Sequence, residues 1–179
     1  KKAQQYLSAL GRIADETSAE KLIAIVSDQD EDPPARVGAA IALGVAGTSE
    51  RPAGTDPELT RHIIESLRAL VGRETEEVDI RVQIACAISL CQMKQQEGVD
   101  FLFRQLAELD RQMMAVGEEK INPAQQAALT KLRVQAQAAL TSSGEFVVPT
   151  LLQALKDPDV GPISRWAAAK TLGALRVEE

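Results

Sequence analysis

The sequence predicts an all-α protein, an α-solenoid of stacked antiparallel helix pairs. Three observations carry that prediction. An arginine-led segment recurs: Arg36 opens RVGAAIALG, Arg81 opens RVQIACAIS, Arg133 opens RVQAQAALT and Arg165 opens RWAAAKTLG. Within each recurrence, mostly apolar residues stand three, seven and ten positions after the arginine, as in Ala39, Leu43 and Ala46 or Ala168, Leu172 and Leu175. Those offsets define one stripe of a helix, because 3.6 residues make a turn. Finally, each recurrence follows a shorter apolar pattern: Leu22-Ile23 with Val26, Ile63-Ile64 with Leu67, Leu102-Phe103 with Leu106, and Leu151-Leu152 with Leu155. The unit is therefore a helix pair, A then B. One pair cannot bury its own stripe, so neighbouring pairs must stack.

Taken in order, residues 2–15 read as a B-type helix without an A partner; Leu10, Gly11 and Ile13 keep its register. Units follow at about 18–47, 57–94, 98–142 and 145–176, as one domain that forms part of a longer array. Ser18 is the expected N-cap of the first A helix. Pro34 suits the first turn of the first B helix. Helix A of the second unit starts at Asp56 or Pro57 and ends near Gly72, and its B helix spans Asp79 to Lys94. The third unit has a long A helix to Val116 and a B helix from Pro123 to Ser142. The fourth uses Phe146–Lys156 and Pro162–Arg176, with Pro149 in a first turn, where a missing N–H costs little. Eight positions after each arginine stand Gly44, Ser89, Thr141 and Gly173. A small residue there lets a neighbouring backbone come close. The arginines are 45, 52 and 32 residues apart. The longer intervals locate insertions at 48–57 and 110–123, which read as loop drift or as a working face.

Helix pairs of this length, with a turn such as KDPDV, an early arginine in helix B and an A-x-x-L-G ending, resemble HEAT repeats. The style is the short bacterial one also found in phycobilin lyases. The resemblance covers nearly the whole chain; the last unit fits best and the third least. It implies an α-solenoid. It also implies that Arg36, Arg81, Arg133 and Arg165 are structural, bonding to turn residues such as Asp28 or Asp157. About chemistry it says little.

Composition narrows the function classes. The 179 residues carry a net charge of −6, which opposes general nucleic-acid binding, since phosphate contacts need clustered Lys and Arg. No apolar run reaches the roughly 18 residues of a membrane span. Cys86 and Cys91 lie on one predicted helix and point in different directions. Free thiols of that kind fit a reducing, cytoplasmic compartment.

The catalytic inventory is thin. His62 is the one histidine, placed among Arg61, Ile63, Ile64 and Glu65, and it reads as a surface residue. No nucleotide-binding glycine loop, nucleophile elbow or paired-histidine zinc motif occurs. Asp28, Asp30 and Asp32 alternate like the start of a calcium loop. Pro33 replaces the required glycine, however, and Ala39 stands where the closing glutamate belongs. No cofactor or metal is expected.

Two surfaces remain as candidates. One is an acidic edge formed by the A–B turns, including Asp30, Asp32, Glu76, Glu77 and Asp159. Its acids suit the dipole at the N-termini of the B helices, and they would also dock a basic partner. The other lies one, five and nine residues after each arginine. There stand Val37, Ile41 and Val45; Val82, Cys86 and Leu90; Val134, Ala138 and Ser142; Trp166, Lys170 and Ala174. Offsets of four stack along one helical face. The B helices would thus offer a weakly charged apolar strip on the concave side for a partner helix or extended segment, unless solenoid curvature buries it as core. Trp166 is the expected anchor.

These readings lead to a non-catalytic scaffold that binds a protein partner. The resemblance adds an alternative, a bilin lyase or chromophore-handling subunit. A third, a HEAT-like DNA glycosylase, needs a basic groove, which the acidic balance opposes. Both chain ends are expected to pack against flanking repeats or another subunit.

Overall fold

The computed structural model describes residues 16–48, 56–72, 78–116 and 123–175. The expected helix at 2–15 and the turns SERPAGT, RETEE and GEEKIN lie outside them. Eight α-helices are described: α1 Glu16–Ser27, α2 Pro33–Gly47, α3 Pro57–Val71, α4 Ile80–Gln92, α5 Gln96–Val116, α6 Pro123–Ser142, α7 Val148–Lys156 and α8 Pro162–Leu175. A 3₁₀ turn, Gly144–Val147, leads into α7. The fold is an all-α helical-repeat solenoid. The chain divides after Gly98 into two compact units.

Prolines and carboxylate caps set three helix starts in the first unit. Pro33 and Pro34 occupy the first turn of α2. The Asp56 carboxylate accepts the Glu58 N–H at 2.9 Å to start α3, and the Asp79 carboxylate accepts the Arg81 N–H at 2.8 Å to start α4. Ser18 is the exception: α1 already runs from Glu16, so Ser18 lies inside the helix and does not cap it. The end of α4 turns on Lys94, whose φ of 57° is left-handed; Gln95 N–H then reaches back to Leu90 C=O at 2.9 Å.

The helices of this unit form two layers. The A helices α1 and α3 meet each other, and each packs on its own B helix. The B helices α2 and α4 make the closest-knit contact. That contact depends on small residues. Ser89 Oγ on α4 donates to the Ala40 C=O on α2 at 2.8 Å. A Cβ on Gly44 would lie 2.6 Å from that same Oγ, so α2 has no room for a side chain there. Gly98, at the start of α5, sits equally tightly: its Cβ would fall 2.5 Å from the Ala87 C=O. Leu22, Leu43, Ile63, Leu67 and Leu90 fill the space between the layers and are buried.

In the second unit α8 packs on both α7 and α6. Leu102, Leu106, Leu140 and Leu151 form its core. The start of α8 is capped from a distance. Asp110, on α5, is buried and accepts the Ile163 N–H at 2.8 Å, the Ser164 N–H at 3.2 Å and the Ser164 hydroxyl at 2.9 Å. Gly161 makes room for it, because a Cβ there would lie 2.3 Å from the Asp110 carboxyl carbon.

Two substitutions test these contacts. Asp110→Ala strands two N–H groups at a helix start and is expected to cost roughly 1–3 kcal/mol in urea unfolding. Gly98→Ala forces a Cβ into backbone and is expected to cost about 1–3 kcal/mol. Unchanged midpoints for either variant would contradict the packing described.

Candidate protein-docking surface

The expected apolar strip divides sharply when each B helix is read for exposure. On α4 it does not face solvent: Val82, Cys86 and Leu90 are 0% exposed. Helix α4 is apolar on nearly all sides, and a helix of that kind is buried. It lies against α2, against α3 and, around Ala87–Cys91, against Gly98. The offset-three and offset-seven residues, Ile84 and Ile88, are only half-buried. So α4 turns toward the core the side that the repeat pattern placed outside, and these three residues are no part of a docking surface.

On the other B helices the same offsets reach solvent. On α2, Val37 and Val45 are half-buried and Ile41 is 39% exposed. On α6, Val134 is 61% exposed, with Ala138 and Ser142 also exposed. On α8, Trp166 is 42% exposed, with Lys170 and Ala174 exposed. Four large hydrophobic side chains are exposed among the described residues, and three of them, Ile41, Val134 and Trp166, occupy this register. The fourth, Leu155, lies on α7. Contiguous exposed apolar patches mark interaction sites, whereas single exposed side chains are ordinary.

The register arginines have four different settings. Arg36 is buried, and its Nε donates to the Val26 C=O at 3.0 Å, tying α2 to the end of α1; the acceptor is not Asp28. Arg81 is exposed and pairs with its own N-cap, Asp79, at 2.6 Å. That hydrogen bond is the main reason the Asp79 carboxyl is held below its ordinary value. Arg133 lies over Trp166, its guanidinium carbon 4.3 Å from the ring centroid, and Lys170 approaches the same ring at 5.8 Å. Arg165 is exposed. The structural role implied for all four therefore fits Arg36 best.

Of the acidic edge, Asp30, Asp32 and Asp159 are exposed, and Glu76 and Glu77 lie outside the described residues. Neighbouring acids shape the turns themselves. The Asp28 carboxylate accepts the Asp30 N–H at 3.0 Å, and Asp157 holds the Asp159 N–H in the same way at 2.9 Å. This local employment accounts for part of the acid content without a partner. Among the described residues no group of three or more His, Cys, Asp or Glu side chains could hold a metal ion. His62 is exposed on α3. No described helix is long and apolar enough to cross a membrane.

Sequence reading missed Asp110, for its partners stand more than fifty residues away. It also missed a charge pattern. Helices α6 and α8 contain Lys131, Arg133, Arg165 and Lys170 and not one carboxylate. A helix-by-helix charge count would have shown this, whereas the whole-chain balance conceals it.

No protein-family model matches this chain, and no curated protein matches it by sequence. A solved structure does resemble it: a chain of the complex of CpcE and CpcF of phycocyanin lyase from Nostoc sp. PCC7120. The identity is 23% and the TM-score 0.54, over 98% of this chain. This chain spans 59% of the length of that one. The likeness is one of fold.

The burial of Cys86 has a consequence for pH. Removal from water pushes its thiol up from 9.0 to about 12. A thiol whose pKa is raised in the folded state adds stability that is fully present below the unfolded value and fades as pH rises through the folded one. The urea midpoint is therefore expected to fall between about pH 9 and pH 12, and to fall less in Cys86→Ala. In native protein at pH 8, Cys86 should resist a thiol reagent that labels it in urea. Rapid native labelling would show that the site opens.

Proposed function

We propose that this chain is a HEAT-like repeat protein, non-catalytic in itself, that binds a protein partner through the outward register of its B helices. The observation that carries the reading is the exposure of Val134 and Trp166, each one residue after its repeat's arginine, and of Ile41, five residues after Arg36 on the same helical stripe. Val37 and Val45 flank Ile41 on α2, Lys170 follows Trp166 on α8, and each unit adds exposed turn acids, Asp30 and Asp32 in the first and Asp159 in the second. A repeat fold suits this work, because stacked pairs present many side chains along one layer without needing a deep pocket. The fold neighbour, a component of a two-subunit complex, adds support for a life spent in association.

The same likeness favours a second reading, a subunit that handles an open-chain tetrapyrrole within a lyase assembly. Its support is the fold of that neighbour. Added bilin should then bind the purified chain and change its visible absorbance; an unaltered spectrum at saturating bilin would remove this alternative for the chain alone.

For the leading reading, Ile41→Glu and Val134→Glu are the informative variants, since both side chains already meet water. Each should keep its helical circular dichroism and lose the partner captured from source lysate by the wild type. A folded Ile41→Glu, Val134→Glu double variant that retains every captured protein would rule the surface out. A Val82→Glu control is expected to unfold, because that residue is core.

A further inference from the structure

We infer that the partner of the second unit's B-helix surface is an acidic protein segment, one that brings carboxylates together with an apolar side chain. This rests on the reading above and adds the partner's chemistry.

The chain as a whole is acidic, with a net charge of −6. Among the described residues four exposed arginines pair with carboxylates, Arg61 with Glu58, Arg68 with Glu97, Arg81 with Asp79 and Arg111 with Glu108, while Arg104 and the lysines are in no ion pair. Helices α2, α4 and α7 also lack acids but carry one cation each, whereas α6 and α8 carry two each. The latter two pack together, and they carry Lys131, Arg133, Arg165 and Lys170 with no acid on either helix. Among the described residues, none of these four cations is in an ion pair. Lys131, Arg165 and Lys170 are exposed, and the buried Nε of Arg133 has no hydrogen-bond partner.

The cations are arranged about an apolar anchor site. Trp166 holds the Arg133 guanidinium at 4.3 Å and the Lys170 ammonium at 5.8 Å. Both charges are thereby fixed over the ring before any ligand arrives, so less side-chain freedom is lost on binding. Val134 adjoins Arg133 in sequence and is the most exposed large hydrophobic residue of the described chain. Lys131 lies three residues before it, on the same side of α6. Such a surface offers an aromatic and an aliphatic contact with positive charge on each side. A carboxylate-bearing segment with one Leu or Phe satisfies both demands. A nucleic acid would satisfy the charge and leave Val134 and its exposed neighbour Ala138 against phosphate or sugar, which makes it the poorer match.

Trp166 is the only tryptophan, so its emission reports directly on this surface. The full chain would be titrated with three short synthetic peptides of equal length: glutamate with leucine, glutamine with leucine, and lysine with leucine. Oligothymidylate would serve as the nucleic-acid probe. The glutamate peptide should shift Trp166 emission and bind at least about tenfold more tightly than the glutamine peptide, with affinity that falls as salt rises. Lys170→Gln and Arg133→Gln together should abolish that preference while the far-ultraviolet spectrum stays unchanged. Equal binding of glutamate and glutamine peptides would overturn the acidic chemistry and leave the docking surface standing. Tighter binding of oligothymidylate would overturn both. If no peptide moves the emission, the inference fails, and the capture experiment with Ile41→Glu and Val134→Glu then decides the broader reading independently.

Discussion

The close approach of α2 and α4 is the constraint on which the first unit depends. Two helices can share backbone contact only where side chains are nearly absent. Gly44 supplies that gap, and Ser89 fills it with a hydroxyl that bonds the Ala40 carbonyl. A buried hydroxyl left unpaired would cost about 1–3 kcal/mol, so this bond makes the hydroxyl tolerable at the seam. With the B helices drawn together, α4 becomes enclosed by α2, α3 and the start of α5. Enclosure in turn requires apolar residues on nearly every side of α4, which explains Val82, Cys86 and Leu90 better than ligand binding does.

The second unit solves the same geometric problem with a different bond. Its α8 carries glycine at the seam position, and nothing lies within 4 Å of where a Gly173 Cβ would stand. What fixes α8 is its N-terminus, held by the buried Asp110 carboxylate. A charge-assisted cap of this kind orients a helix at its end, and α8 packs on α6 and α7 with Ala167, Ala168 and Thr171 buried. The outward register of α8 therefore stays in water, where Trp166 and Lys170 are found. Core duty in α4 and surface duty in α8 follow from what packs around each helix, α2, α3 and the start of α5 around the one, α6 and α7 beside the other, although both carry the same repeat.

Much of the fold was legible in the chain. Offsets of three, seven and ten gave the helices, and Asp56, Asp79, Pro34 and Pro149 marked starts that the structure keeps. Local rules suffice for these features because each depends on residues within one or two turns. The burial of α4 was less accessible. Val82, Cys86 and Leu90 occupy the same register as Val134 and Trp166, and the repeat alone cannot distinguish a helix enclosed by neighbours from one with an open side. The Asp110 cap was out of reach for a related reason: its distance along the chain defeats any reading based on spacing. The apolar composition of α4 did hold a clue, since a helix that is hydrophobic all round seldom faces water.

The charge distribution follows from the same division of labour. Acids collect where they have local work, at N-caps such as Asp56 and Asp79 and in turns shaped by Asp28 and Asp157. Asp56 and Asp79 lie at helix starts, where exposed N–H groups favour negative charge; Asp28 and Asp157 follow helix ends and hold turn N–H groups instead. The flanks of α6 and α8 have no comparable demand for acids, and they carry cations beside exposed apolar groups. An exposed acid four residues before Lys170, at Trp166, would add a helix pair of about 0.2–0.5 kcal/mol, whereas a cation–π contact with an indole there is worth about 0.5–1 kcal/mol. The sequence instead places an aromatic ring there and leaves the ammonium over it. The exchange costs the helix nothing and leaves the indole and the ammonium at the surface, the arrangement on which the acidic partner proposed above would draw.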